Sequence, residues 1–114
     1  MQWRYVFDKL AFFSLGRTGN PTAMNALIRF SDATERITRA CALSAIGTLG
    51  AEQHVDFLKK KYAQYGESDK FMVLKSICDV GTPTAIDFVR KAKEDKLYEN
   101  EYGFKYCVDL YLER

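Results

Sequence analysis

The sequence predicts an all-α fold, a right-handed superhelix of antiparallel helix pairs forming an α-solenoid of about three and a half repeats. Three observations carry that expectation. Gly19, Gly50 and Gly81 recur at a step of 31 residues, and a fixed period of that length marks a stack of one repeated supersecondary unit. Apolar residues recur at the same step: Phe12, Leu43 and Leu74; Leu15, Ile46 and Ile77; Met24, Val55 and Ile86; Leu27, Leu58 and Val89. Each copy therefore buries the same face. No stretch of useful length alternates apolar and polar residues with period two, so no sheet is expected.

Helices are expected over about 3–15, 21–31, 35–49, 52–65, 69–80, 83–94 and 99–113, as three pairs and a final single helix. The first carries the aromatic-rich run MQWRYVFDKLAFF. The second begins at Asn20-Pro21, and its aligned copy is Thr82-Pro83. An Asn or Thr side chain can cap free helix amides, and Pro at the first helical position sacrifices no needed hydrogen bond. In the third, ITRACALSAIGTL sets Ile37, Ala40, Cys41, Ile46 and Leu49 on a stripe that Ala42, Leu43 and Ala45 broaden. That is the pattern of a helix packed on two sides. Gly50 then supplies a residue tolerant of positive φ at a helix C-terminus. Ala51-Glu52 replaces the cap-and-proline signal and sets a carboxylate near the positive end of the next helix dipole. The second helices of the pairs read PTAMNALIRF, EQHVDFLKKKYAQY and PTAIDFVRKAKED. Polar links FSDATE, YGESDK and EDKLYENE follow them, with Ser31, Thr34 and Ser68 as candidate caps.

The chain has 114 residues, 47% hydrophobic and 28% charged, which suits one domain over 1–114 with a continuous core. No apolar run approaches the roughly 20 residues of a membrane span. Asp8 and Lys9 interrupt the first apolar stretch, so a signal peptide is not expected. Cys41, Cys78 and Cys107 are far apart and form no C-x-x-C pair, which argues against a zinc knuckle or redox motif. Cys41 occupies the register of Leu10 and Met72, an apolar slot, and reads as a buried thiol in a reducing, cytoplasmic setting. The net charge of +2 is too small to point to nucleic acid or an anionic membrane.

No catalytic constellation stands out. His54 is the single histidine and takes the slot of Ala23 and Ala85; a histidine satisfied by one hydrogen bond accounts for it better than a general base. GRTGNPT has two glycines but no Gly-Lys-Ser/Thr ending, so it is a turn and not a phosphate loop. The basic runs at Lys59-Lys60-Lys61 and Arg90-Lys91-Ala92-Lys93 lie near helix C-termini, where cations suit the dipole on a solvated face.

The segments CALSAIGTLGAEQHVDFL and LKSICDVGTPTAIDFV resemble HEAT-like repeats of the phycobilisome-lyase, or short HEAT, type. Ala45-Ile46-Gly47 with Gly50, and Leu15-Gly16 with Gly19, match its turn, while Cys78 replaces the first glycine of the third copy. The deoxyhypusine hydroxylases share such repeats and hold iron through His-Glu pairs. Here His54 precedes Val55, and that activity is not expected. The resemblance implies that the second helices line a concave face. Across it the repeat would align Asn25, Asp56 and Asp87; Ala26, Phe57 and Phe88; and Arg29, Lys60 and Lys91. Such a surface offers aromatic anchors with charged flanks, and Asp56–Lys60 and Asp87–Lys91 are also i,i+4 pairs that can support their own helices.

The expected function is a non-enzymatic protein–protein interaction scaffold or adaptor. Phe57 and Phe88 would anchor the partner, flanked by Asp56, Lys60, Asp87 and Lys91, with no catalytic residue, metal or cofactor assigned. A bilin-lyase-like chaperone or enzyme subunit handling a tetrapyrrole is the alternative, and a weak nucleic-acid binder the third reading. The ends carry a separate expectation. The first helix holds Trp3, Tyr5, Val6, Phe7, Phe12 and Phe13, and the last Tyr98, Tyr102, Phe104, Tyr106, Tyr111 and Leu112. One stripe cannot hide either set, so an end is expected to meet a partner or a second copy of the chain.

Overall fold

The computed structural model describes residues 10–12, 14, 15, 17, 18, 21–49 and 51–113. Trp3, Tyr5, Val6, Phe7, Phe13, Gly16, Gly19, Asn20 and Gly50 lie outside the described residues. Those described are helical or in turns and loops, with no strand among them, and no helix is long and apolar enough to cross a membrane. The chain falls into two compact units, Met1–Leu49 and Gly50–Arg114.

In the first unit residues 10–12, 14, 15 and 17 are helical (α1). Helix α2 spans Pro21–Phe30 and α3 spans Arg36–Leu49. Of the expected register residues in this unit, Phe12, Leu27, Leu43 and Ile46 are buried, while Leu15 and Met24 are half-buried. Phe12 stacks on Phe30 with ring centroids 4.9 Å apart, which ties α1 to α2. Helix α3 presents Ala42, Ala45 and Gly47 beside Cys41, Leu43 and Ile46, all buried, and small residues on that face let α2 pack closely. Cys41 is buried as expected, but Leu10 of the same register is exposed. The link 31–35 departs from its expected role. Ser31 does not start the next helix; its hydroxyl donates back to the Ile28 carbonyl at the end of α2. Arg39 Nη1 donates to the carbonyls of Ala33 (3.0 Å) and Thr34 (2.9 Å), pinning the loop from the far side.

In the second unit a 3-10 turn at Glu52–His54 leads into α4 (Val55–Gln64), followed by α5 (Glu67–Val80) and α6 (Pro83–Lys91). A second 3-10 turn, Ala92–Glu94, precedes α7 (Lys96–Asn100) and α8 (Tyr102–Leu112). Helices α4 and α5, α5 and α6, α6 and α8, and α5 and α8 pack on one another. Val55, Leu58, Leu74, Ile77 and Val89 from the repeat registers meet Val73, Ala85, Phe104 and Val108 in a dry core. Gly81 takes φ +68° at the C-terminus of α5, its N–H reaching the Ile77 carbonyl at 3.4 Å. This is the left-handed cap the 31-residue step required. Pro83 opens α6, while the Thr82 hydroxyl makes no capping bond.

The last helix differs most from expectation. The stretch 99–113 is not continuous, because Asp95 starts a helix four residues earlier. Its Oδ1 accepts from the Leu97 N–H at 2.9 Å, and Leu97 is drawn into the core. The backbone breaks at Glu101 (φ −118°, ψ 110°), and α8 begins anew. Gly103 lies against α5: a Cβ there would sit 2.9 Å from Cε2 of Phe71, so any larger residue would require the Phe71 ring to shift.

Candidate protein-docking site

The chemistry of the second unit is organised around two tyrosine–carboxylate clusters, one internal and one at the surface. In the internal cluster Asp95 Oδ2 accepts from the Tyr62 hydroxyl at 2.7 Å and from Lys70 Nζ at 3.3 Å. The Lys70 ammonium also lies 4.9 Å from the centroid of the Tyr62 ring. Burial pushes the Tyr62 hydroxyl far above the usual phenol range, and the bond to the Asp95 carboxylate adds to that. Burial alone would raise the Asp95 carboxyl, but the Leu97 N–H, the Tyr62 hydroxyl and the Lys70 ammonium outweigh it and hold it below its ordinary value. The cluster joins α4, α5 and the start of α7.

The sequence-derived anchors adjoin this cluster. Phe88 is half-buried, and its ring meets Tyr62 edge-on, centroids 5.0 Å apart and planes at 85°. Phe57 is half-buried beneath the ammonium of Lys61, 5.6 Å from its centroid. Lys61 itself is buried, set also 6.0 Å from the Tyr65 ring. The run Lys59-Lys60-Lys61 is thus not a wholly solvated face, because the aromatic neighbours at i±4 draw the middle of α4 inward. Asp56, Lys60, Asp87 and Lys91 are exposed as expected. Asp87 pairs with Arg90 Nη1 at 3.2 Å, three residues on, in place of Lys91. His54 is 8% exposed and its Nδ1 has no hydrogen-bond partner among the described residues. Burial lowers its pKa. No group of three His, Cys, Asp or Glu among the described residues could hold a metal ion.

The surface cluster joins α7 and α8. Tyr98 donates to Asp109 Oδ1 at 2.6 Å, and Lys105 Nζ reaches Asp109 Oδ2 at 2.7 Å. The same ammonium stands 4.9 Å from the Tyr98 centroid. The bond from Lys105, then that from Tyr98, holds the Asp109 carboxyl low, and Asp109 in turn raises the Lys105 ammonium. Beside this triad runs a row that includes Tyr102 and Tyr106 of the aromatic-rich end named from the sequence, joined by Leu110, which was not named. Tyr102, Tyr106 and Leu110 recur at a step of four residues and are 80%, 56% and 45% exposed. The two tyrosine rings stack with centroids 6.2 Å apart and planes at 22°. With Lys105, Asp109 and Glu113 the row lines a groove of about 270 Å³. The signal was present in the sequence: Tyr98, Tyr102, Tyr106 and Leu110 recur every four residues, and Phe104 and Val108 recur at the same step two residues out of phase. The first unit has a counterpart, a groove of about 310 Å³ between exposed Leu10, Ser14, Arg17 and Thr48.

No protein-family model, curated protein or solved structure matches the chain. The site's meaning therefore rests on its own geometry.

Proposed function

We propose that this chain is a non-enzymatic protein-interaction module of HEAT-like solenoid architecture, working in the cytoplasm, and that its partner docks on the outer face of α8. The observation that carries the reading is the row Tyr102–Tyr106–Leu110. Three large side chains with apolar bodies stand exposed in register along two turns of one helix. Side chains at that spacing form one continuous ridge, the form in which a helix presents anchors to a partner. Tyrosine suits the task, since it contributes a large rigid contact with a polar tip. Support for the solenoid comes from the glycine step and from the repeat registers buried in each unit.

The test compares capture from native extract by the wild-type chain and by a Tyr102→Ala/Tyr106→Ala variant, read by mass spectrometry. Proteins retained by the wild type should be lost from the variant, while the two chains melt within a degree or two of each other, since the altered rings are exposed. Identical captured sets would place docking elsewhere, and a large drop in melting temperature would make the row structural.

The stripe on the second helices is the second reading. Its support is that Phe57 and Phe88 keep part of each ring in solvent between the exposed charges of Asp56, Lys60 and Lys91. It makes the opposite forecast for Phe88→Ala: partner capture falls while folding stability is unchanged.

A further inference from the structure

Building on the docking role of α8, we infer that the partner is a second copy of the chain, and that the two α8 helices pair antiparallel about a two-fold axis beside Tyr106. The row complements itself when reversed. Tyr102, Tyr106 and Leu110 stand exposed at a step of four residues. Lys105 and Asp109 keep the same step, each one residue before a member of the row, so both lie on one flank of it. A two-fold axis level with the peptide between Tyr106 and Cys107 reverses one copy against the other. Tyr106 then meets Tyr106, and Tyr102 meets Leu110 of the second copy, an aromatic ring on an aliphatic side chain. Each pair comes within one residue's rise, about 1.5 Å, of being level.

The charges fit the same register. The axis keeps the flank on one side of the pair, so Lys105 of each copy comes beside Asp109 of the other, again within one residue's rise. Inside each copy the two already pair at 2.7 Å, and both keep part of their surface in solvent for a second contact. The dimer closes a ring of four charges with alternating sign. Tyr98 of α7 donates to Asp109 at 2.6 Å, and the Lys105 ammonium lies 4.9 Å from its ring centroid. The flank is therefore held in place before association, and less freedom is lost on pairing.

At the ends of the row Glu101 of one copy lies toward Glu113 of the other, and Arg114 follows Glu113 in the sequence. By sequence the surplus at each end is a single negative charge. Glu101 and Glu113 are exposed at the rim, where a charge alters on-rate more than affinity. Nucleic acid uses aromatic platforms inside a positive groove, which a flank with one charge of each sign does not supply.

Sedimentation equilibrium of the full chain under reducing conditions, in a series up to about 1 mM, reads the association. A single helix ridge makes a small interface of the weak class, so a dimer in the micromolar range is expected. Tyr106→Ala should raise its dissociation constant about tenfold or more, as for a central aromatic anchor, while keeping the wild-type circular dichroism and melting temperature. Two charge variants test the register. Lys105→Glu sets carboxylates at both flank positions, and Asp109→Lys sets ammoniums at both. Each alone should be monomeric, and their equimolar mixture should form a heterodimer, a rescue that a loss of folding stability could not produce. A wild type that stays monomeric throughout the series, or a dimer indifferent to Tyr106→Ala, would overturn the second copy. So would a mixture that stays monomeric while both variants are folded. The docking reading is judged separately: it stands if extract proteins other than the chain itself are retained by the wild type and lost from Tyr102→Ala/Tyr106→Ala, and falls with the inference if they are not.

Discussion

Replacing Phe88 with alanine separates the two docking readings. The ring is half-buried on α6 and meets Tyr62 edge-on at 5.0 Å. Tyr62 is itself held by Asp95 at 2.7 Å and backed by the Lys70 ammonium. A fully buried phenylalanine costs about 3–5 kcal/mol when truncated to alanine. Half that burial puts the expected loss near 2 kcal/mol, of which about 0.5–1.5 kcal/mol belongs to the ring pair. Urea denaturation followed by circular dichroism reads this directly. With a slope of about 2 kcal/mol per molar, the midpoint should fall by about 1 M. A double-mutant cycle sharpens the result. In a Tyr62→Ala background the Phe88→Ala penalty should shrink by roughly 1 kcal/mol, while in Tyr62→Phe, which keeps the ring, it should not. If Phe88→Ala changes stability by less than about 0.5 kcal/mol, as surface substitutions do, the packing argument fails. Partner capture reduced tenfold in that same variant would move the docking surface to the second helices.

The remaining predictions concern backbone geometry and pH. Gly81→Ala should destabilise by about 1–2 kcal/mol through its φ of +68° alone, because the added Cβ would meet nothing closer than 3.7 Å. Gly103→Ala should cost about 1–3 kcal/mol by overpacking against Phe71 at 2.9 Å, and Phe71→Leu should recover part of that loss, whereas it should do nothing for Gly81→Ala. His54 is buried with its pKa lowered, so the unfolded chain takes up that proton first. Stability should be level above about pH 7 and fall as pH drops through the unfolded value of about 6.5 toward the lower folded one; urea midpoints between pH 8 and 5 should show the fall, and His54→Gln should flatten it.

The parts of the fold that were legible in the sequence are those that repeat. Leu27, Leu58 and Val89 lie three residues after Met24, Val55 and Ile86, and all of the first set are fully buried. Gly81 was readable as a positive-φ cap because the period put it directly before Thr82-Pro83. The final helix was not legible, since nothing repeats there. Its course depends on Asp95 capping Leu97, a local bond that no repeat register marks, and on Gly103 lying against Phe71, a residue far away in the chain. The candidate site was half-legible. The surplus of aromatic residues near Tyr102 showed that one stripe could not bury them all. Which ones stay outside was decided by the rotation of α8, and a helix's rotation is set by its neighbours.

That rotation is also why the exposed row cannot be a packing compromise internal to its own unit. Phe104 and Val108 are fully buried and fix one face of α8 on the core. Tyr102, Tyr106 and Leu110 are offset from them by two residues, about 200° around the helix, so they lie on the opposite side. Turning the helix to hide the row would expose Phe104 and Val108, break the Tyr98–Asp109–Lys105 triad and press a side chain other than Gly103 toward Phe71. The triad adds a further lock, since Asp109 lies between Tyr106 and Leu110 in the row's own groove and is held there by Tyr98 from α7. A helix with large side chains on both faces, clamped in one orientation, leaves its second face to be covered only from outside the unit. Whatever covers that face meets two stacked tyrosines together with the charged side chains of Lys105, Asp109 and Glu113.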